Sequence, residues 1–229
     1  MRYISGVMKP SETALPNYTR TQENWNCISH AAGTLFTLIA GPYLLIKAIV
    51  TSDPYRIVSS VLFIIALLIL YTGSALYHGF PASKTKRILR VMDHNNVFIL
   101  IMGTYAPYCL VALRSFSIGW AYGIYGSCLA LGIIGIILNS IDLQKFRIVS
   151  MVDYLLMGWL IVLSLWPMSQ AMGFYPGVLL LLIGGLFYTV GAVFYGIGGK
   201  KNQWWHLVFH IFCLVGTISM FFSIYYFVI

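Results

Sequence analysis

Two histidines four residues apart, His206 and His210, sit in the run Trp204-Trp205-His206-Leu207-Val208-Phe209-His210. On a helix that spacing stacks both imidazoles on one face, a usual way for a single helix to chelate a metal. A third imidazole, His78, closes the segment Ser74-Ala75-Leu76-Tyr77-His78, and Ser74 lies one turn above it on the same face. Asp93, next to His94, adds a carboxylate from another part of the chain. Three neutral imidazoles, one carboxylate and a water suit zinc with a position open to substrate. An HxxxH pair alone arises easily by chance, and interfacial His and Asp also meet headgroups and water without any metal. Haem would want two histidines from facing helices and could not readily use the aspartate. Whether these groups meet depends on the elements that carry them.

Of the 229 residues, 59% are hydrophobic and only 9% charged. A soluble domain carries roughly 25% charged residues, so this chain lacks the polar surface of a dissolved monomer and reads as an integral membrane protein. Disorder, coiled coil and a small disulfide scaffold are excluded by the same figures. The acids are Glu12, Glu23, Asp53, Asp93, Asp142 and Asp153, and the histidines are His30, His78, His94, His206 and His210. With so few ionisable groups, the place of each is informative. The cysteines (Cys27, Cys109, Cys128, Cys213) form no CxxC pair and read as small buried hydrophobes. Gly198-Gly199-Lys200 lacks the first half of a P-loop and reads as a connecting loop. No cleavable signal peptide is expected, because the first apolar stretch follows a long polar leader.

A helix crossing the ~30 Å hydrocarbon core needs about 20 largely apolar residues. Seven stretches meet this: Ile28 to Val50, Ile57 to Phe80, Val91 to Leu113, Ile118 to Leu138, Ile148 to Met168, Phe174 to Ile197, and Trp204 to Phe227. Breakers separate them at Ser52-Asp53-Pro54, Pro81-Ala82-Ser83, Asn139-Ser140 and Gly198-Gly199. The alternating strands of a membrane barrel are missing. The expected fold is therefore an all-α integral membrane protein of seven transmembrane helices (28–229) behind a polar leader (1–27). Pro42, Pro107 and Pro167 are expected to kink their helices and help open a cavity. The absence of a convincing internal repeat weakens a transporter built on inverted repeats.

An odd helix count puts the termini on opposite sides. The leader and the loops on its side hold Arg2, Lys9, Arg20, Lys84, Lys86, Arg87, Arg90, Lys145, Arg147, Lys200 and Lys201, whereas the other side has Lys47, Arg56 and Arg114. Eleven against three makes the leader cytoplasmic and the C-terminus external by the positive-inside rule. The net charge of +8 then needs no nucleic-acid partner. In this topology the second span ends, and the first, third and seventh begin, on the leader's side, so all five histidines and Asp93 fall at one end of the bundle. Ionisable groups inside a span are costly, which favours a functional reading.

These residues resemble the haemolysin-III-related proteins, the bacterial branch of the progestin and adipoQ receptor family. The resemblance is carried by Ser74-x3-His78, by Asp93-His94 followed by Gly103-Thr104-Tyr105-Ala106-Pro107, and by His206-x3-His210. Glu23, Asn26 and His30 look like the family's opening, and Tyr154-Leu155-Leu156-Met157-Gly158-Trp159 like its fifth helix. Two departures, Ser29-His30-Ala31 for Thr-His-Gly and Asn95-Asn96-Val97 for smaller residues, fall on none of the presumed ligands. The resemblance implies seven helices and a Zn2+ ion near the cytoplasmic face, with His78, His206 and His210 as ligands. It also implies that Asp93 meets the water on that zinc, with Ser74 beside it. His94, about 100° from Asp93 around its helix, is expected to face another helix or the headgroups. His30 is expected behind the ligands, paired with Glu23. Asp153 reads as an interfacial acid balanced by Arg147.

A zinc ion with an open position lowers the pKa of its water to about 7, and Asp93 is placed to orient that water and accept its proton. The expected activity is hydrolysis of an amide or ester bond in a membrane lipid or acyl amphiphile. The site would lie near the inner leaflet of the cell (plasma or inner) membrane, reached between helices. Two alternatives stand beside it: a non-enzymatic sensor or regulator of membrane lipid state with structural zinc, and a cytolytic pore, which no polar-lined span supports.

Overall fold

The first helix opens on a reciprocal cap. Gln22 N–H donates to Thr19 Oγ1 at 3.3 Å, and Thr19 N–H donates to Gln22 Oε1 at 2.9 Å, which satisfies two donors left free at a helix start. Helix α1 therefore runs Arg20–Val50, two turns ahead of the apolar run at Ile28. Those extra turns are polar, so hydropathy alone does not register them, and they bring Glu23, Asn26 and His30 onto one helix.

The structure, a computed structural model, describes residues 9–229 apart from the side chains of 197–201. Arg2 and the Lys200 and Lys201 ammonium groups lie outside the described residues. Among the described residues, seven helices are long and apolar enough to cross a membrane: α1, α2 (Pro54–Gly79), α3 (Lys84–Phe116), α4 (Ile118–Asp142), α5 (Arg147–Met172), α6 (Phe174–Gly196) and α7 (Trp205–Phe227). The chain is a multi-pass, all-helical membrane protein. Asp53 caps α2, its carboxylate accepting Tyr55 N–H at 2.9 Å with Pro54 in the first turn. Ser83 caps α3 through Lys86 N–H at 3.1 Å. Gly198-Gly199 does not end α6, whose backbone stays helical to Lys201. A glycine costs a helix only about 1 kcal/mol, and the turn falls at Asn202, whose side chain accepts Trp204 N–H at 3.0 Å.

Helix α3 is the most buried of the seven: 72% of its apolar window is buried, against 28% to 44% for the other six. The seven helices follow one another around a ring, each packed on its neighbours in the chain, and α1 against α7 closes it. Close packing on α3 depends on glycine. A Cβ on Gly103 would lie 2.3 Å from Ala66 Cβ and 3.0 Å from the Leu62 carbonyl oxygen, so α2 and α3 touch backbone to backbone there. Gly103→Ala forces the two helices apart and is expected to cost about 1–3 kcal/mol, the usual range for overpacking. The measurement is the thermal unfolding midpoint in detergent, and an unchanged midpoint would contradict this packing.

The prolines act differently. Pro42 lies inside an unbroken α1. Beyond Pro107, α3 widens into a π-helical stretch, Tyr108–Leu113, and ahead of Pro167, α5 tightens into a 3-10 stretch, Leu160–Ser164. Proline has no N–H for the i−4 carbonyl, so such irregular turns gather beside it. All four cysteines are free, and Cys109, Cys128 and Cys213 are buried.

Candidate metal centre

Three imidazoles converge from two helix ends. His78 lies in the last turn of α2, and His206 and His210 in the first two turns of α7. One ring nitrogen from each lies within 4.8 Å of the others, and all three residues are buried. The Nε2 atoms of His78 and His206 are 3.1 Å apart. Two buried ring nitrogens at that distance share either a proton or a cation.

The neighbours decide which nitrogen of each ring is free. His78 Nδ1–H donates to Glu23 Oε2 at 2.6 Å, leaving Nε2 facing its partners. Ser29 donates its hydroxyl proton to the Asn26 carbonyl at 2.8 Å, so Ser29 Oγ accepts from His210 Nδ1–H at 3.0 Å. The same N–H is 3.3 Å from the Asn26 carbonyl oxygen, again as donor, and His210 Nε2 is left with its lone pair. A carboxylate or carbonyl behind the outer ring nitrogen is the usual support of a metal-binding histidine. The ring nitrogens thus fit a soft-to-borderline divalent ion such as zinc, which takes imidazole at about 2.0–2.1 Å. His206 differs: its Nδ1 has no partner, and its ring lies between the rings of Tyr18 and Tyr195, at 5.3 and 5.6 Å.

The expected pairing of Glu23 with His30 is not what the structure has. Glu23 takes His78 with one oxygen and the Lys86 ammonium with the other, at 2.8 Å, because α2 ends against the first turns of α1 and His30 lies two turns further into the bundle. His30 stacks face to face on His210, centroids 3.6 Å apart and 13° between planes, and both of its ring nitrogens are buried without partners. His94 lines the same cavity but both of its ring nitrogens are engaged elsewhere: Nδ1–H donates to the Arg90 carbonyl at 2.9 Å, and Nε2 accepts the Tyr195 hydroxyl at 3.1 Å. Asp153 is buried in the protein, and its Oδ1 has no partner. No Asp153–Arg147 ion pair forms among the described residues, since six residues of helix carry the two side chains to different faces.

A cavity with about 1470 Å³ of empty space, counting its open mouth, begins at this cluster. Asp93, Ser74, His30, His206 and His210 all line its polar end. Asp93 receives no hydrogen bond from a protein group among the described residues, and its Oδ2 is 3.8 Å from His94 Nδ1, beyond hydrogen-bond reach. Ser74 Oγ is fully buried and unpartnered. Along α7 the lining runs from His206 to Met220, about 21 Å at 1.5 Å per residue. Leu100, Ile101, Leu181 and Tyr105 make the remainder largely apolar.

Sequence reading passes over Tyr18, Ser29, Lys86 and Tyr195. None stands in an apolar run with a chemical signature, and each acquires its place from contacts between distant segments. The one signal in the chain is the box Thr19-x-x-Gln22, which marks the helix start and so the face shared by Glu23, Asn26 and His30.

Comparison with known proteins matches nearly the whole of this bundle. The family described as "Haemolysin-III related" matches residues 18–221, from Tyr18 beside the triad through most of α7. The chain is 34% identical to the "Hemolysin-3 homolog" of Bacillus subtilis (strain 168), over 92% of this chain and 96% of that protein. It is 31% identical to "Hemolysin-3" of Bacillus cereus, over 91% and 92% respectively.

Proposed function

The chain belongs to the haemolysin-III-related family, and from that premise we propose that it is a zinc-dependent membrane hydrolase of an amide or ester bond in a lipid or acyl amphiphile. The observation that carries this reading is the junction of two features. Three imidazoles with outward N–H groups already engaged on two of them meet at the polar end of a long apolar cavity that also takes in Asp93 and Ser74. Zinc is the ion of choice because an all-imidazole set of three leaves a fourth position open. Once bound, it supplies Lewis-acid polarisation and a water acidified to a pKa of about 7. The eleven-to-three split of basic residues supports a cytoplasmic leader, and with it a site at the inner leaflet of the cell membrane.

The residues divide the work. The apolar walls take the acyl chain out of the bilayer and bring its carbonyl to the polar end. Asp93, which accepts no hydrogen bond from a protein group among the described residues, accepts the proton of the attacking water. The water oxygen adds to the carbonyl carbon, the C–N or C–O bond breaks, and the leaving amine or alcohol takes the proton back from Asp93. Ser74, with no partner of its own, is placed to donate its hydroxyl to the substrate head.

The test is fatty-acid release from vesicles containing defined acyl-amide and acyl-ester lipids and the purified protein. Release is expected to stop when zinc is stripped by a chelator and to return when zinc alone is restored. Release that ignores chelation overturns the reading. A second reading, a lipid-state sensor with structural zinc, is favoured by the burial of all three ligands and by the Tyr18 ring over His206, since structural sites are closed ones. The relatives' names carry a third, a cytolytic pore, which requires the reconstituted protein to release a trapped dye.

A further inference from the structure

The segment before α1 is tied down with unusual thoroughness for a polar leader. After a 3-10 turn at Pro10–Glu12, the Thr13 carbonyl accepts from Arg87 at 2.7 Å and the Ala14 carbonyl accepts from Arg90. Thr13 is itself buried. Five residues on, the Tyr18 ring stacks over His206 with 24° between planes and tilts towards His78 at 5.9 Å. The capping box at Thr19 and Gln22 then fixes the angle at which the chain turns into α1. One turn later Glu23 closes on His78 and on Lys86, whose ammonium also donates to the Phe80 carbonyl at 2.8 Å and the His78 carbonyl at 3.3 Å.

Two of the three candidate ligands are thus contacted from one short stretch of chain, and that stretch is held by three cations of the first turns of α3. We infer that residues 13–23 form a strap that closes the metal centre on the leader's side and sets how fast the ion leaves. The inference rests on the metal reading proposed above. Tyr18 and Glu23 are its positioning residues: the ring covers His206, the ligand with no partner behind it, and the carboxylate aims His78. Lys86, Arg87 and Arg90, which the charge count treats only as markers of orientation, are its anchors. Lys86 serves both parts, since it fixes Glu23 and the end of α2 together.

The experiment follows zinc release from loaded, purified protein into an excess of chromogenic chelator by stopped-flow absorbance. Arg87→Ala/Arg90→Ala alters no group that touches the ligands, so it tests the strap without touching the centre. It is expected to release zinc at least about tenfold faster than wild type. Tyr18→Ala is expected to do the same, and Tyr18→Phe, which keeps the ring, to release at the wild-type rate. Glu23→Gln is expected to weaken equilibrium zinc affinity by about 10–100-fold, the usual effect of losing a partner behind a ligating histidine. Variants that take up zinc at wild-type stoichiometry and release it within twofold of the wild-type rate overturn the strap alone. Wild-type protein that takes up no zinc overturns the metal centre, and the strap with it.

Discussion

Replacing His206 by alanine is expected to leave the protein essentially without zinc. The variant keeps His78 on Glu23 and His210 on Ser29, so the two remaining imidazoles stay oriented, and what disappears is the third corner of the set. Loss of an outer partner costs about 10–100-fold in affinity, and loss of a ligand costs more, so zinc affinity should fall at least about a hundredfold. Two measurements check this. Metal analysis of purified protein should give wild-type stoichiometry for wild type and near none for His206→Ala. Added zinc at a hundred times the wild-type dissociation constant should stabilise wild type by about 2.7 kcal/mol, seen as a higher unfolding midpoint, and the variant by no more than about 0.4 kcal/mol. Zinc retained at wild-type stoichiometry in His206→Ala would place the metal elsewhere.

The triad is legible in the amino-acid sequence because its spacing is helical and its neighbourhood is poor in charge. In a chain with 9% charged residues, three histidines and Asp93 at one end of a bundle stand out. The seven spans follow from hydropathy for the same reason: apolar stretches of that length must be taken out of water. What hydropathy does not show is where polar helix begins. The first turns of α1 carry Glu23, Asn26 and His30, none of them apolar, and only the Thr19 cap marks them. The partner of Glu23 is hidden on that account. Along one helix His30 is its natural neighbour, but the end of α2 lies closer in space, and contacts across 55 residues of chain leave no periodic signal. Asp153 shows the converse case. A buried acid and an exposed one look alike in sequence, and only the packing of α5 against α4 tells them apart. Prolines in the spans point to a cavity, yet none of them lines it, and of the irregular turns beside Pro107 and Pro167 only Tyr108 and Ile161 reach its wall.

Asp93→Asn is the substitution that separates a hydrolase from a zinc-bearing sensor. The amide is nearly the size of the carboxylate and keeps an acceptor oxygen, so the shape of the cavity's polar end survives. It cannot accept a proton at neutral pH. No protein group among the described residues donates to Asp93, and His94 is engaged with Arg90 and Tyr195, so the substitution breaks no protein hydrogen bond that holds the fold. Zinc content and unfolding midpoint should therefore stay at wild-type values. Fatty-acid release, on the hydrolase reading, should fall by about 10²–10⁴-fold, the usual worth of general acid–base catalysis. A sensor with structural zinc makes the opposite demand, needing the three imidazoles and tolerating the amide. If an activity that depends on zinc survives Asp93→Asn unchanged, proton transfer through this carboxylate is excluded. The remaining unpartnered polar groups at the cavity's end, Ser74 and His30, then become the ones to replace, by the same assay and with zinc content measured alongside.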